Sequence, residues 1–231
     1  MIEEIKKLLI PYHCDTLQRY GGFIDGGYVY EKGLLEKSAI VYSYGIGTPT
    51  WISFDIEMAD MGKDVFMYDA SVSHIANENS KLHFFKEFVN SSNIESNILS
   101  NGHQNISDMI LKMDIEGNEY ETLLNCNESI FNRFNQISIE VHNILNNDHE
   151  PKIKLFTLLN KYYKLVHIHG NNSLRELVGG MCDVLELTYI RKDCSDHLNE
   201  ISTISSPNSE LDAPNEISQP EIILDWWLRN D

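Results

Sequence analysis

The chain has 231 residues, with 18 Lys and Arg against 35 Asp and Glu, a formal charge of -17. That imbalance repels a phosphate backbone and an anionic membrane surface alike, so neither nucleic acid nor membrane is an expected partner. Hydrophobic residues at 42% and aromatics at 10% supply a sizeable core and exclude wholesale disorder.

Cys14, Cys126, Cys182 and Cys194 lie far apart with no C-x-x-C pair, which suggests neither a zinc cluster nor a disulfide framework. A reducing, cytoplasmic compartment is the expectation. No run approaches the ~20 apolar residues of a membrane span. The opening MIEEIKKLLIPYHC is too short and too charged for a secretory signal.

In chain order, Ile2, Ile5, Leu8 and Leu9 mark one face of a short helix, with acids early and lysines late as the helix dipole prefers. From Ser38 onward, β-rich runs alternate with helical patterns, which predicts an α/β, Rossmann-like, doubly wound sheet. Ala39 to Tyr44 is a strand ended by Gly45-Ile46-Gly47; a Thr48-Pro49-Thr50 turn leads to a helix over Ser53 to Met61. Lys63 to Tyr68 is the next strand, ended by Asp69. His83 to Val89 reads as a strand, and Asn101-Gly102 as a hairpin-type turn. Met109 to Met113 is a strand ended by Asp114-Ile115-Glu116-Gly117, with a helix from Asn118; Gln136 to Val141 is another, ended by His142.

A helix opens near Pro151, with Leu155, Leu158, Leu159 and Tyr162 as its buried stripe. Tyr163 to His169 and Val184 to Arg191 have no crossover helix between them, only a Gly179-Gly180 turn, so they should be antiparallel neighbours. Residues 1–195 form the expected domain. Residues 196–231 read as an acidic, polar arm whose Trp226 and Trp227 dock on the domain or on a second copy in a homo-oligomer.

Ligands of open α/β sheets bind beyond the carboxyl ends of the strands, near the point where strand order reverses. Gly45 and Gly47 there let backbone N–H groups approach a ligand closely. Asp69, at the end of the following strand, can accept both hydroxyls of a ribose, so the pair indicates a nucleoside cofactor. A third glycine and a phosphate-cradling loop are both missing, which disfavours NAD and nucleoside triphosphates.

Asp114 and Glu116 stand where cofactor and substrate would meet, although Glu116 could simply cap the helix that follows. Glu140 and His142, two apart on a strand, project to one side, where a histidine near carboxylates can take a proton. Asn171 and Asn172, after His167 and His169, read as a turn more readily than as sugar-binding amides. Asp114, Glu140, His142 and His169 could also compose an oxygen and nitrogen metal site; a divalent metal is compatible with the sequence and not required by it.

The ordered set DGGYVY, YSYGIG with SFD, YDAS, LKMDIEGNEYETL, ISIEVHN, HIHGNN and LELTYIRKD resembles the FkbM-type class I methyltransferases over about residues 20 to 220. The resemblance implies a seven-stranded, mostly parallel sheet ending in an antiparallel hairpin, S-adenosylmethionine as cofactor, and O-methylation of a sugar, nucleotide sugar, glycan or related small molecule. Tyr44, Gly45 and Gly47 would hold the amino acid part of the cofactor and Asp69 its ribose, with Asp114 and Glu116 facing the methionine end or the acceptor. His142 would act as general base, oriented by Asp114 or Glu140. Ser43 departs from the acid that many class I enzymes carry before the glycine turn. Rival readings are an NAD-dependent sugar-modifying enzyme on the same scaffold and an inactive methyltransferase-like interaction module.

Overall fold

The computed structural model describes residues 1–23, 26–48, 51–174 and 176–228. Asp25 of the DGGYVY motif and Pro49-Thr50 of the expected turn lie outside them. The first helix, α1 (Ile2–Leu8), buries Ile5 and has glutamates in its first turn and lysines in its last. An antiparallel pair, β1 (Leu17–Tyr20) and β2 (Tyr28–Glu31), follows, then α2 (Lys32–Lys37), whose first amides are capped by the Glu31 carboxylate.

The central elements alternate as the periodicity predicts. They are β3 (Ile40–Tyr44), α3 (Ser53–Asp60), β4 (Asp64–Tyr68), β5 (Leu82–Phe85), α4 (Ile94–Ser100), β6 (Met109–Met113), α5 (Glu119–Asn125), β7 (Phe134–Val141), α6 (Glu150–Tyr162) and β8 (Tyr163–Gly170). A two-residue pair, β9 (Leu177–Val178) and β10 (Met181–Cys182), turns at Gly179 and Gly180, and β11 (Leu185–Arg191) completes the sheet.

One expectation is corrected here. Asn101-Gly102 is no hairpin turn but the end of α4, where Gly102 has φ +80°. That helix has only Ile94, Asn97 and Ile98 on its buried face, too short a stripe to register against its asparagine-rich surroundings.

The sheet has seven strands in the order β5-β4-β3-β6-β7-β11-β8. Strands β3 to β7 pair in parallel, whereas β11 is antiparallel to both β7 and β8 and is inserted between them. The chain starts at β3, winds outward to β5, and returns to β6 on the other side of β3. This is the class I methyltransferase fold, with its switch point between β3 and β6.

Strand alternation divides the core. Tyr42, Tyr44 and Met113 join α1, α4, α5 and α6 on one face; Val41, Val65, Met67 and Ile110 join Tyr30 of the hairpin and Phe54 and Met58 of α3 on the other. The same second face turns polar past β6: Glu186 is in register with Glu140 and His169, and Thr188 with Ser138 and His167. Buried polar side chains need partners, and the segment after β11 supplies them. Asn215 donates to Glu186, Asp212 stands 2.8 Å from His167, and Glu221 stands 3.3 Å from His169. That segment also pairs Ile201 with Tyr12 and Ser206 with Leu224, and it buries Leu224 completely. Trp226 donates to the carbonyls of Lys6 and Leu9, so this indole docks on α1 of its own chain. Among the described residues no helix is long and apolar enough to cross a membrane.

Candidate functional site

Because β3 and β6 diverge into their following helices, a cleft of about 680 Å³ opens beyond their carboxyl ends. Gly45, Gly47, Asp69, Asp114, Glu116, Glu140 and His142 all line it. Tyr44 does not: its ring is fully buried against Tyr42 and Tyr68, since it alternates into the core, and only its carbonyl serves the site by accepting from Asp114 N at 2.9 Å.

The turn after β3 is held by the acid at the end of β4. Asp69 Oδ2 accepts from Ile46 N at 2.9 Å and Gly47 N at 3.2 Å, while Oδ1 accepts from Ser71 N at 2.7 Å and Ser71 Oγ at 2.6 Å. Burial alone would raise this carboxyl; the hydrogen bonds outweigh burial and hold it below the ordinary aspartate value. Gly45 has a second role beside the one expected. It has φ +74°, and any Cβ there would run into the Asp114 carbonyl, so its bareness lets β3 and β6 close on each other.

Lys112, pointing from β6 beneath this turn, is almost fully buried. Its Nζ donates to the Gly45 carbonyl, lies 3.9 Å from Asp114 Oδ2, and sits 5.0 Å from the centre of the Tyr28 ring. Next to Ser43 lies an acid of α3. Asp55 is fully enclosed there, its carboxyl pushed up by burial and drawn back by the Lys112 charge.

His142 is the centre of an acidic cluster. Its Nδ1 is 3.1 Å from Glu119 Oε1, and its Nε2 is 3.4 Å from Glu140 Oε1, 3.6 Å from Glu116 Oε2 and 3.9 Å from Asp114 Oδ1. Burial disfavours the imidazolium, but hydrogen bonds to Glu119 and Glu140 and their charges overcome it and raise the ring to about 11. Glu140 is buried and accepts from Asn171 Nδ2 at 3.1 Å; burial, then the Asp114 charge, push it up to about 8.

These surroundings run against the expected general base, since carboxylates at both nitrogens favour the charged imidazole, which has no free lone pair for a further proton. His169 also leaves the expected metal set, because β11 separates β8 from β7 and Glu186 and Glu221 occupy the two His169 nitrogens at 3.1 and 3.3 Å. The group that does converge is Asp114, Glu119 and His142, one donor atom from each lying within 4.8 Å of the others.

Glu119 is the residue sequence reasoning missed. As the first residue of α5 it reads as a plain dipole acid, yet it is fully buried and its Oε1 also accepts from Ile115 N at 3.1 Å and Gly117 N at 3.0 Å. It thereby fixes the Asp114–Gly117 loop, in which Glu116 has φ +56°, an uncommon conformation for a side-chain-bearing residue. Glu116 itself caps nothing; its side chain is mostly exposed on the His142 side. Asn171 is the turn residue expected, accepting from Ser173, and its amide also donates to Glu140 in the cleft.

No family model matches the sequence, and no curated protein matches it. Among solved structures the chain is similar to a candidate DNA modification methyltransferase encoded within a prophage (E. coli). The identity is 13% and the TM-score 0.39, covering 68% of this chain and 47% of that one. The chain thus spans about half the length of that protein.

Proposed function

We propose that this chain is an S-adenosylmethionine-dependent methyltransferase acting on a hydroxyl oxygen of a small-molecule or carbohydrate acceptor. The observation that carries the reading is the meeting, at the switch point of a class I methyltransferase sheet, of the Gly45–Gly47 turn, Asp69 and the His142 cluster in one cleft. Its volume, about 680 Å³, falls within the range of small-molecule sites.

Ile46, Phe88 and Val89 line the apolar wall suited to a purine. Asp69 would take a ribose diol in place of the two hydrogen bonds now given by Ser71, while its hold on Ile46 N and Gly47 N keeps the turn in shape. When bound, the cofactor supplies a methyl group on a sulfonium sulfur, whose S–C bond breaks as the acceptor O–C bond forms, leaving a neutral thioether. The protein's part is to align the acceptor and receive its proton. Asp114 and Glu140 are the carboxylates that face the cleft at that point, and His142 orients them. Asn171, Ser173 and the exposed Trp51 flank the approach, with polar groups and a flat ring that suit a polyhydroxylated acceptor. The formal charge of -17 disfavours DNA in that place.

Calorimetric titration of the full chain with S-adenosylhomocysteine, and separately with NADH, tests this. Saturable binding of the former alone is expected, weakened at least ~10-fold in Asp69→Ala, the worth of hydrogen bonds to a charged group. No binding, or binding undiminished in that variant, ends the reading.

A further inference from the structure

The His142 cluster has the anatomy of a metal centre. A metal-ligating imidazole commonly donates its far N–H to a carboxylate, which fixes the ring and presents the other nitrogen to the ion. Glu119 Oε1 stands 3.1 Å from Nδ1, and beyond Nε2 the oxygens of Glu140, Glu116 and Asp114 lie at 3.4, 3.6 and 3.9 Å. An ion with ~2.1 Å bonds spaces neighbouring donors ~3.0 Å and opposite donors ~4.2 Å apart, and the donors that close on one another to about that span are those of Asp114, Glu119 and His142, within 4.8 Å.

A second observation is independent of the clustering. Glu119 is fully buried and its Oε2 has no hydrogen-bond donor; Asp114 Oδ1 is likewise a buried oxygen without one. Buried acceptors left unpaired are costly. A cation among Asp114, Glu119 and His142 would give these oxygens a partner.

We infer that the cleft binds one divalent cation between Asp114, Glu119 and His142, the ion displacing a proton from the imidazole, with Glu140 as the positioning residue that holds the ring. Two hard carboxylates and one imidazole, with no sulfur, select an ion of the manganese or magnesium class over thiophilic metals. Building on the methyltransferase reading, the ion gives the acceptor hydroxyl an anchor in the cleft and lowers the cost of its losing a proton.

The test is manganese(II) titrated into chelator-treated full-length protein, followed by loss of the free-ion electron paramagnetic resonance signal, with S-adenosylhomocysteine binding measured on the same samples. One ion per chain is expected. Asp114→Asn, Glu119→Gln and His142→Ala should each weaken it by more than 10-fold, and Glu140→Gln by ~10 to 100-fold as for groups that orient a ligand. If His142→Ala fails to fold, the near-isosteric Asp114→Asn carries the test. Protein that binds S-adenosylhomocysteine but no manganese refutes the metal site and leaves the transferase reading intact. Manganese binding unaltered in the variants refutes the site as well. Manganese bound and lost on substitution, without S-adenosylhomocysteine binding, upholds the site and refutes the transferase.

Discussion

Gly45 is a residue whose backbone and surroundings both forbid replacement. In Gly45→Ala a side chain must adopt φ +74° and displace the Asp114 carbonyl, whereas in Gly62→Ala the φ of +86° is the sole obstacle, since nothing lies within 4 Å. Urea denaturation should therefore show a loss of about 3 kcal/mol or more for the first and about 1 kcal/mol for the second. Equal losses would mean that β3 and β6 can part at no cost. The residues legible in the sequence, Asp69, Asp114, Glu140 and His142, are those at strand ends, where a period-2 run stops at a polar group. Glu119 and Lys112 were not legible as site residues. One begins a helix and the other interrupts a strand, and each acquires its role only from what the loop between them brings near. The role of His142 also depends on its neighbours, because four surrounding carboxylates favour its charged form.

At the scale of elements, β3, β4, β6, β7, β8 and β11 and the helices α1, α3, α5 and α6 follow from apolar runs and their punctuation. The β1–β2 hairpin and α2 do not, because a short pair with Gln18 and Arg19 in it has no clean alternation. The hairpin is fixed from outside instead: Thr188 Oγ1 donates to Val29 O at 2.7 Å, and the Gln136 side chain exchanges two hydrogen bonds with the Glu31 backbone. Thr188→Val keeps the shape and removes the buried donor. A destabilisation of about 1–3 kcal/mol is expected, with amide exchange rising first in β1 and β2. Exchange that rises evenly over the sheet would show that the hairpin does not depend on this bond.

Across the whole molecule, the stretch after β11 is legible by composition as lacking regular elements, but not by position. Its acids and amides look solvated in the sequence, yet they complete the polar face of β7, β11 and β8. Asp212 is buried, which would raise it, but the His167 charge outweighs burial and holds it below the usual aspartate range; Glu186 is lowered in the same way by His169. A depressed carboxyl stabilises the fold above its unfolded value of about 4 and loses that contribution as pH falls through the folded value. His169, raised well above its usual range, contributes fully below about 6.5 and loses its share only as the solution turns alkaline. Hydrogen exchange corrected for intrinsic rates should therefore show residues 205–224 losing protection first below pH ~4, while β3 and β6 keep theirs. Simultaneous loss throughout would show that the ion pairs do not set the acid limit of this segment.

The intercalated position of β11 also has a consequence in time. Among the described residues β8 pairs with no strand but β11, and β7 takes β11 on its outer side. On a growing chain, β7 and β8 both emerge before their common partner exists, each with an open edge, and direct parallel pairing between them is the nearest error. Synthesis must pass Arg191 before the gap can be filled, so the acidic half of the sheet is the last to become a sheet and the part most exposed to misassembly at birth.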